Sequence, residues 1–412
     1  MGPKIFSFTR GETTYSLRLF PIGGYCAMEG EDEESENPRA FNNIKIWKRM
    51  IIIVAGAFMN IVLGLILMFV SLFSQDVLPS TQVAEFGLGS YSSVSGLQPG
   101  DQIVCFNGYD VNTYTDFGFA LYLLKATDID GGELNVYKET CAKALFDYAQ
   151  DTINQLGDKG TKDLASSMTA MIQDAQIAIG KCDSKDDANK VFCACCDDLT
   201  KLAGLDPLKE YPEIKTEDSV QRYRCDVTVL RDGKKILLKD VDLAMDTDEN
   251  GKAKLAVDFR VYALEKNFGT VITESFKQTV SVVRMVWGGL AGFVTGTFSL
   301  KEMTGPVGIA ATLTEAASKS METGGFGSAV SSIVYVMMVI TINLGIVNML
   351  PFPALDGGRF LMLLIEALFH KPVPRKVEKI INAVGLVLLM ILIAFIAVKD
   401  VWQLFNGGFH IG

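Results

Sequence analysis

Asn348, Pro351, Pro353 and Asp356 stand close together at the end of an uncharged apolar run, residues 328–350. At about 1.5 Å per helical residue such a run reaches across a hydrocarbon core of about 30 Å. The two prolines then stop the helix, because proline lacks an amide hydrogen and blocks the preceding turn. Non-helical backbone is tolerated at membrane depth only inside protein or beside water. Asp356 is therefore expected in a wet, protein-lined cavity, where a carboxylate can hold a proton or a cation. The competing reading makes it an interfacial loop residue that caps a helix starting near Arg359.

Three other groups could do chemistry. Asn60 lies within the apolar run 51–73, and an amide in hydrocarbon needs a partner. It either bonds a neighbouring helix or touches a substrate, and Gly56, Asn60 and Gly64 share one helical face that lets a helix come close. Glu366 and His370 stand four apart, a spacing that could hold a metal or simply pair the two side chains near a helix end. Cys141, Cys182, Cys193, Cys195, Cys196 and Cys225 cluster in one region, which suggests disulfides, with Cys193-Ala-Cys195-Cys196 as a possible metal site instead.

Asn348-x-x-Pro351-x-Pro353-x-Leu355-Asp356-Gly357 resembles the signature of the site-2 proteases, intramembrane zinc metalloproteases whose bacterial members include the regulator-of-sigma-E type with one PDZ domain. The resemblance implies that Asp356 is a zinc ligand, with two further ligands from the histidines of an earlier HExxH helix. No HExxH occurs here, and the only histidines are His370 and His410. The family segment corresponding to Gly2-Pro3-Lys4 usually follows an apolar residue, so Met1 reads as an internal position with the catalytic helix upstream, and the chain as written is expected to be inactive. Gly56-Ala57-Phe58-Met59-Asn60 is similar to the family's second-helix motif, which implies that Asn60, with Asn348, Pro351 and Pro353, positions substrate beside the metal. The family usually has Pro where Ala57 stands. Residues 2–28 are similar to its membrane-associated β-hairpin, with Leu17, Leu19, Gly23 and Gly24 as the part that would hold substrate as an added strand. Gly96-Leu97-Gln98-Pro99-Gly100-Asp101 through Asn107-Gly108 resembles a PDZ domain. Gly305-Pro306-Val307-Gly308-Ile309 also resembles the family.

The elements that must position these residues follow from composition and pattern. The chain has 412 residues, a net charge of -10 and 49% hydrophobic residues, high for a soluble protein. Excess acid without a basic stripe argues against a nucleic-acid partner. The expected fold is a multi-pass α-helical membrane protein with an extracytoplasmic PDZ-like α+β domain interrupted by a helical insertion. In order it comprises a cytoplasmic-side hairpin and loop (1–50), a span (51–73), a PDZ-like domain (80–136 and 222–262) with a helix over 115–126, a Cys-containing helical insertion (137–221), an amphipathic interfacial segment (270–327), a span with the Leu-Asp-Gly motif and loop (328–379), and a last span (380–398). Arg39, Lys45, Lys48 and Arg49, and later Arg359, Lys371, Arg375, Lys376 and Lys379, mark the cytoplasmic side. The partners implied are the bilayer and membrane proteins with single transmembrane segments, such as anti-sigma factors or remnant signal peptides. The alternative function is a non-catalytic, membrane-anchored PDZ module that binds exported polypeptides.

Overall fold

The computed structural model describes residues 4–18, 26–30, 35–87, 89–124, 126–130, 132–156, 162–214, 216, 219–243, 245–247, 253–255, 257–296, 298, 303, 305–371 and 374–405. The chain divides into two compact units, Met1–Asn60 with Leu344–Leu392, and Ile61–Asn343 with Ile393–Gly412.

In the first unit, β1 (Lys4–Arg10) and β2 (Thr13–Arg18) form an antiparallel hairpin in which Phe8 stacks on Tyr15. Leu17 is exposed on β2, whereas Leu19, Gly23 and Gly24 lie outside the described residues. The unit also holds the first half of α1 (Ile46–Ser74), whose long uncharged run favours helix in a medium that leaves no backbone group unpaired.

The second unit carries a seven-stranded antiparallel sheet built on the path β11-β3-β4-β7-β6, with β5 paired to β4 and β8 to β7. Its strands are β3 (Leu78–Phe86), β4 (Gln102–Phe106), β5 (Tyr109–Asp110), β6 (Ala126–Asp130), β7 (Ser219–Arg231), β8 (Lys234–Leu243) and β11 (Phe259–Leu264). A separate pair, β9 (Met245–Thr247) and β10 (Ala253–Leu255), precedes β11. Asp232 and Gly233, both at positive φ, make the two-residue turn between β7 and β8. At the start of β4, Asp101 is fully buried and accepts two hydrogen bonds from Arg231, at 2.6 and 2.7 Å. Val83, Ile103, Phe106, Phe117, Val227 and Val229 form the core on this sheet.

Two short helices, α2 (Tyr91–Val94) and α3 (Tyr114–Tyr122), lie with the sheet. Thr113 caps α3 in a reciprocal box with Asp116. The helix expected over 115–126 stops at Tyr122, and Ala126–Asp130 instead pairs with β7 as β6. The alternation of Thr127, Asp128, Ile129 and Asp130, with Ile129 buried, is a strand signal that outweighs the helical run before it.

The inserted segment folds as three helices, α4 (Leu134–Leu156), α5 (Lys162–Gly180) and α6 (Lys185–Leu202), around Leu145, Met168, Ile172, Phe192 and Leu199. All eight cysteines of the chain are free thiols. The disulfides expected in this region are thus not formed in this structure; Cys141, Cys195 and Cys196 are packed in the insertion's core as small apolar groups, and burial pushes Cys141 and Cys196 up to about 12.

The long helix α7 (Phe268–Thr295) lays its polar side on α3, where Ser281 donates to Asp116 at 2.6 Å and Gln278 accepts from Thr115. Phe268, Ile272, Phe276 and Trp287 are exposed on it. α8 (Pro306–Asn348) is broken at Gly325, which has φ 72, and α10 (Arg375–Phe405) closes the chain. Three helices, Ile46–Ser74, Gly325–Asn348 and Lys376–Gln403, are long and apolar enough to cross a membrane. Within the second unit Gly64 of α1 packs against Ile342 of α8, the close approach that small residues permit. Asp400 of α10 is fully buried and accepts the backbone N–H groups of Gly305 and Gly308, at 2.9 and 3.0 Å, at the start of α8.

Candidate functional site

The site is built in the first unit from the end of α8, the turn that follows it, α9 (Asp356–Phe369) and facing parts of α1 and α10. α8 ends at Asn348, and its last carbonyls are satisfied by tight turns, with Met349 N donating to Ile346 O and Leu350 N to Val347 O, both at 3.0 Å. Pro351 and Pro353 then carry non-helical backbone, and Ala354 sits in the left-handed region at φ 73. The amide of Ala354 is held by Oδ1 of Asn382 on α10 at 3.4 Å.

Asp356 is the first residue of α9, one position past its N-cap, Leu355, which offers no side-chain cap. The helix therefore begins at Asp356 and not near Arg359, and the carboxylate occupies the first turn, where the helix dipole favours negative charge. Gly357 and Gly358 explain why the motif has no side chains there. A Cβ at Gly357 would strike the carbonyl groups of Met349 and Leu350, and one at Gly358 would strike that of Phe352. Gly385 of α10 lies equally close to Pro353. The turn is thus folded back against the first turn of its own helix, which fixes where the Asp356 carboxylate emerges.

On α1, Gly56 faces this carboxylate: a Cβ built there would lie 3.9 Å from Oδ2 of Asp356. Seven residues earlier on the same helix, Arg49 pairs with Glu366 of α9 at 2.9 Å, with both side chains largely buried. α1 and α9 are therefore tied at two levels, and Glu366 is engaged by Arg49. His370 is exposed, at φ 51, at the end of α9. Of the two readings of Glu366 and His370, the structure shows Glu366 paired with Arg49 and His370 exposed at the helix end, with no metal cluster there among the described residues. Asn60, one helical turn beyond Gly56, and Asn348 are half-buried, and neither makes a hydrogen bond among the described residues. Arg49, Asn382 and Gly385 were missed by sequence reasoning. The one available signal was that Arg49 and Asn382 are polar groups at the edges of apolar runs.

Asp356 is half-buried at the helix start with Gly56 opposite, a placement in which a carboxylate can accept from a proton donor or hold a cation. Zinc requires three protein ligands. Among the described residues no three His, Cys, Asp or Glu side chains converge, so the described residues by themselves do not make a zinc site.

Fold and site together define an α-helical membrane protein with a sheet domain and a carboxylate placed at the end of a broken membrane helix. The family model for peptidase family M50 matches residues 1–392. The chain belongs to this family, the site-2 proteases, whose cofactor is zinc. It is 27% identical to a putative zinc metalloprotease of Clostridium acetobutylicum over 97% of this chain and 86% of the relative. It is 26% identical to the regulator of sigma-W protease RasP of Bacillus subtilis over 98% of this chain and 90% of that protein, and 26% identical to the zinc metalloprotease RasP of Geobacillus kaustophilus over 98% and 89%.

Proposed function

We propose that this protein is an intramembrane zinc metalloprotease of regulated intramembrane proteolysis, cleaving transmembrane segments of membrane proteins such as anti-sigma factors or remnant signal peptides. The observation that carries this reading is the placement of Asp356: a carboxylate at the head of α9, held by a proline- and glycine-shaped turn and facing Gly56 of α1. Asp356 acts as a metal ligand. The two histidines and the general base that an HExxH helix supplies in the family have no counterpart among these 412 residues. Zinc, if held there, would supply Lewis-acid chemistry.

The chain's own residues bind and orient. Asn60, Asn348, Pro351 and Pro353 position the substrate backbone beside Asp356, and the unwound turn at Pro351 and Pro353 exposes main-chain groups to which an extended segment can bond. The β1–β2 hairpin, with Leu17, Leu19, Gly23 and Gly24, takes the substrate as an added strand. The seven-stranded sheet with α3 serves as a PDZ-like module that screens peptides before they reach the membrane. Residues 74–327 lie outside the cytoplasm.

In a chain extended upstream by an HExxH helix, cleavage of a single-span substrate in detergent or vesicles is expected to depend on zinc. Asp356→Asn should remove both cleavage and about one equivalent of tightly bound zinc. Wild-type zinc content and turnover in Asp356→Asn would exclude it as a ligand. The competing function, a non-catalytic PDZ binder, is favoured by the lack of any three converging ligands among the described residues. It predicts no zinc-dependent cleavage in the extended chain.

A further inference from the structure

The Gly305-Pro306-Val307-Gly308-Ile309 motif is distant from Asp356 in sequence and makes no part of the candidate site. Pro306 opens α8 at the first helical position, where its missing N–H costs nothing. Gly305 is therefore the N-cap: it accepts the first intrahelical bond, from Ile309 N at 2.9 Å, but has no side chain to receive the free amides of the first turn. A residue of another helix takes that task. Oδ2 of the fully buried Asp400, on α10, accepts from Gly305 N at 2.9 Å and from Gly308 N at 3.0 Å. Lys399, one residue earlier, donates to the carbonyl of Met303 and lies 3.6 Å from Oδ1 of Asp400. A Cβ on Gly305 would lie 2.6 Å from Ile396 Cγ2 and 2.7 Å from Asp400 Oδ2, so only glycine admits this approach.

The same helix holds the other end of α8. α8 and α10 each run through both compact units of the chain. Asn382 of α10 holds the amide of Ala354 and Gly385 of α10 admits Pro353, both in the turn that follows α8. Between these two grips α8 has one break, at Gly325, where φ 72 and ψ -166 are open only to glycine. The break is spliced, because Ser320 and Ser332, on either side of it, share a hydroxyl hydrogen bond of 2.6 Å. From there α8 continues as helix to Asn348, at the edge of the proline turn.

We propose that Asp400 is a positioning residue for the Asp356 site, a role that rests on the proteolytic reading given above. With Lys399 it anchors the first turn of α8 to α10, while Asn382 holds the turn after α8 to the same helix. The two grips make α10 a splint, and they fix where the unwound main chain at Pro351 and Pro353 is presented to the substrate. A cap carried by α8 itself would satisfy the same amides but would tie the helix to nothing. Loss of the anchor leaves Asp356 on its own helix and lets the turn before it shift.

Hydrogen exchange of the full 412-residue chain in detergent tests the anchor without catalysis. In Asp400→Ala the amides of Gly305 and Gly308 lose their acceptor. Those of Met349, Leu350 and Ala354 should exchange roughly tenfold faster as well, since loss of a cap shifts a local opening equilibrium by about that factor. Asp400→Asn keeps an acceptor oxygen and should restore both places, while Gly305→Ala, which drives a Cβ into Asp400, should reproduce the loss. The sheet amides should be unchanged in all three. Faster exchange confined to the start of α8, a local cap, or spread equally over the sheet, a loss of fold, would overturn the assignment. In the HExxH-extended enzyme Asp400→Ala should lower kcat about tenfold at unchanged KM and zinc content, as misalignment does, and Asp400→Asn should recover most of it. Wild-type kcat in Asp400→Ala would end the positioning role. Absence of cleavage by the extended chain with Asp400 intact would instead overturn the proteolytic reading, and this role with it.

Discussion

Asp356 owes its position to residues that carry no chemistry of their own. Gly357 and Gly358 let the turn close, Asn382 holds the amide of the strained Ala354, and Gly385 admits Pro353. The proline-aspartate motif was legible because its parts are adjacent in the chain and each acts by a local rule, a helix stop or a close approach. Arg49 and Glu366 were not, since nothing local links two residues that meet only through tertiary packing. Their pair makes a direct prediction. Glu366→Gln leaves a largely buried guanidinium unpaired, and loss of one partner of such a pair costs about 3–5 kcal/mol. Glu366→Gln and Arg49→Gln should each destabilise the chain, and the double replacement should cost clearly less than their sum. Strict additivity in thermal melts would show that the pair contributes nothing. Asn60 offers a second test at this scale. Its side chain has no bond among the described residues, so Asn60→Leu should leave the melting temperature almost unchanged. In the HExxH-extended enzyme the same change should depress cleavage about a hundredfold at normal zinc content, as expected when a scissile bond is misplaced by about 1 Å. Near-normal cleavage would assign Asn60 to packing.

Among the elements, the inserted α4–α6 bundle is the part whose attachment is chemically unusual. It meets the sheet through a group of ion pairs, Glu139 with Arg222, and Asp242 and Glu133 with Arg224, in which Glu139 and Asp242 are buried and Glu133 is exposed. Sequence pattern found the helices, since their apolar residues recur at helical spacing, and it found the β7–β8 turn. It missed β6 and gave the cysteines a covalent role, because pairing partners and burial depend on which surfaces meet. The charged group predicts a pH dependence with a definite sign. Glu139 is held up to about 8 in the folded protein against an ordinary 4.5, so the folded state binds a proton that the unfolded state has released. Its contribution to stability is full below about 4.5 and is lost progressively as pH rises towards 8. Hydrogen-exchange protection of α4 should therefore fall between pH 5 and 8. Glu139→Gln, which mimics the protonated side chain, should flatten the part of that fall that Glu139 causes. An identical fall in Glu139→Gln would place the linkage on other groups.

For the molecule as a whole, three apolar helices and family membership point to a membrane protein, and the proposed direction of threading rests on charge alone. Lys and Arg gather before the first span and between the second and third, in the short segments where their bias sets orientation. In the threading proposed above, the hairpin and the loop after α9 face the cytoplasm and residues 74–327 face the other side. The free thiols, four of the eight buried, make this measurable once the half-buried Cys105, Cys182 and Cys193 are changed to Ser. Cys26 is exposed, while Cys141, Cys195, Cys196 and Cys225 are buried and burial raises each of them, so a maleimide at neutral pH should spare these four. Ser167 is exposed on α5, and Ser167→Cys provides a reporter on the inserted helices. A membrane-impermeant maleimide added to intact cells should label Ser167→Cys at once and Cys26 only after the membrane is opened. Labelling of Cys26 in intact cells, with Ser167→Cys protected until permeabilisation, would reverse the threading. The PDZ-like module would then screen cytoplasmic peptides, and the hairpin would meet its substrates from outside.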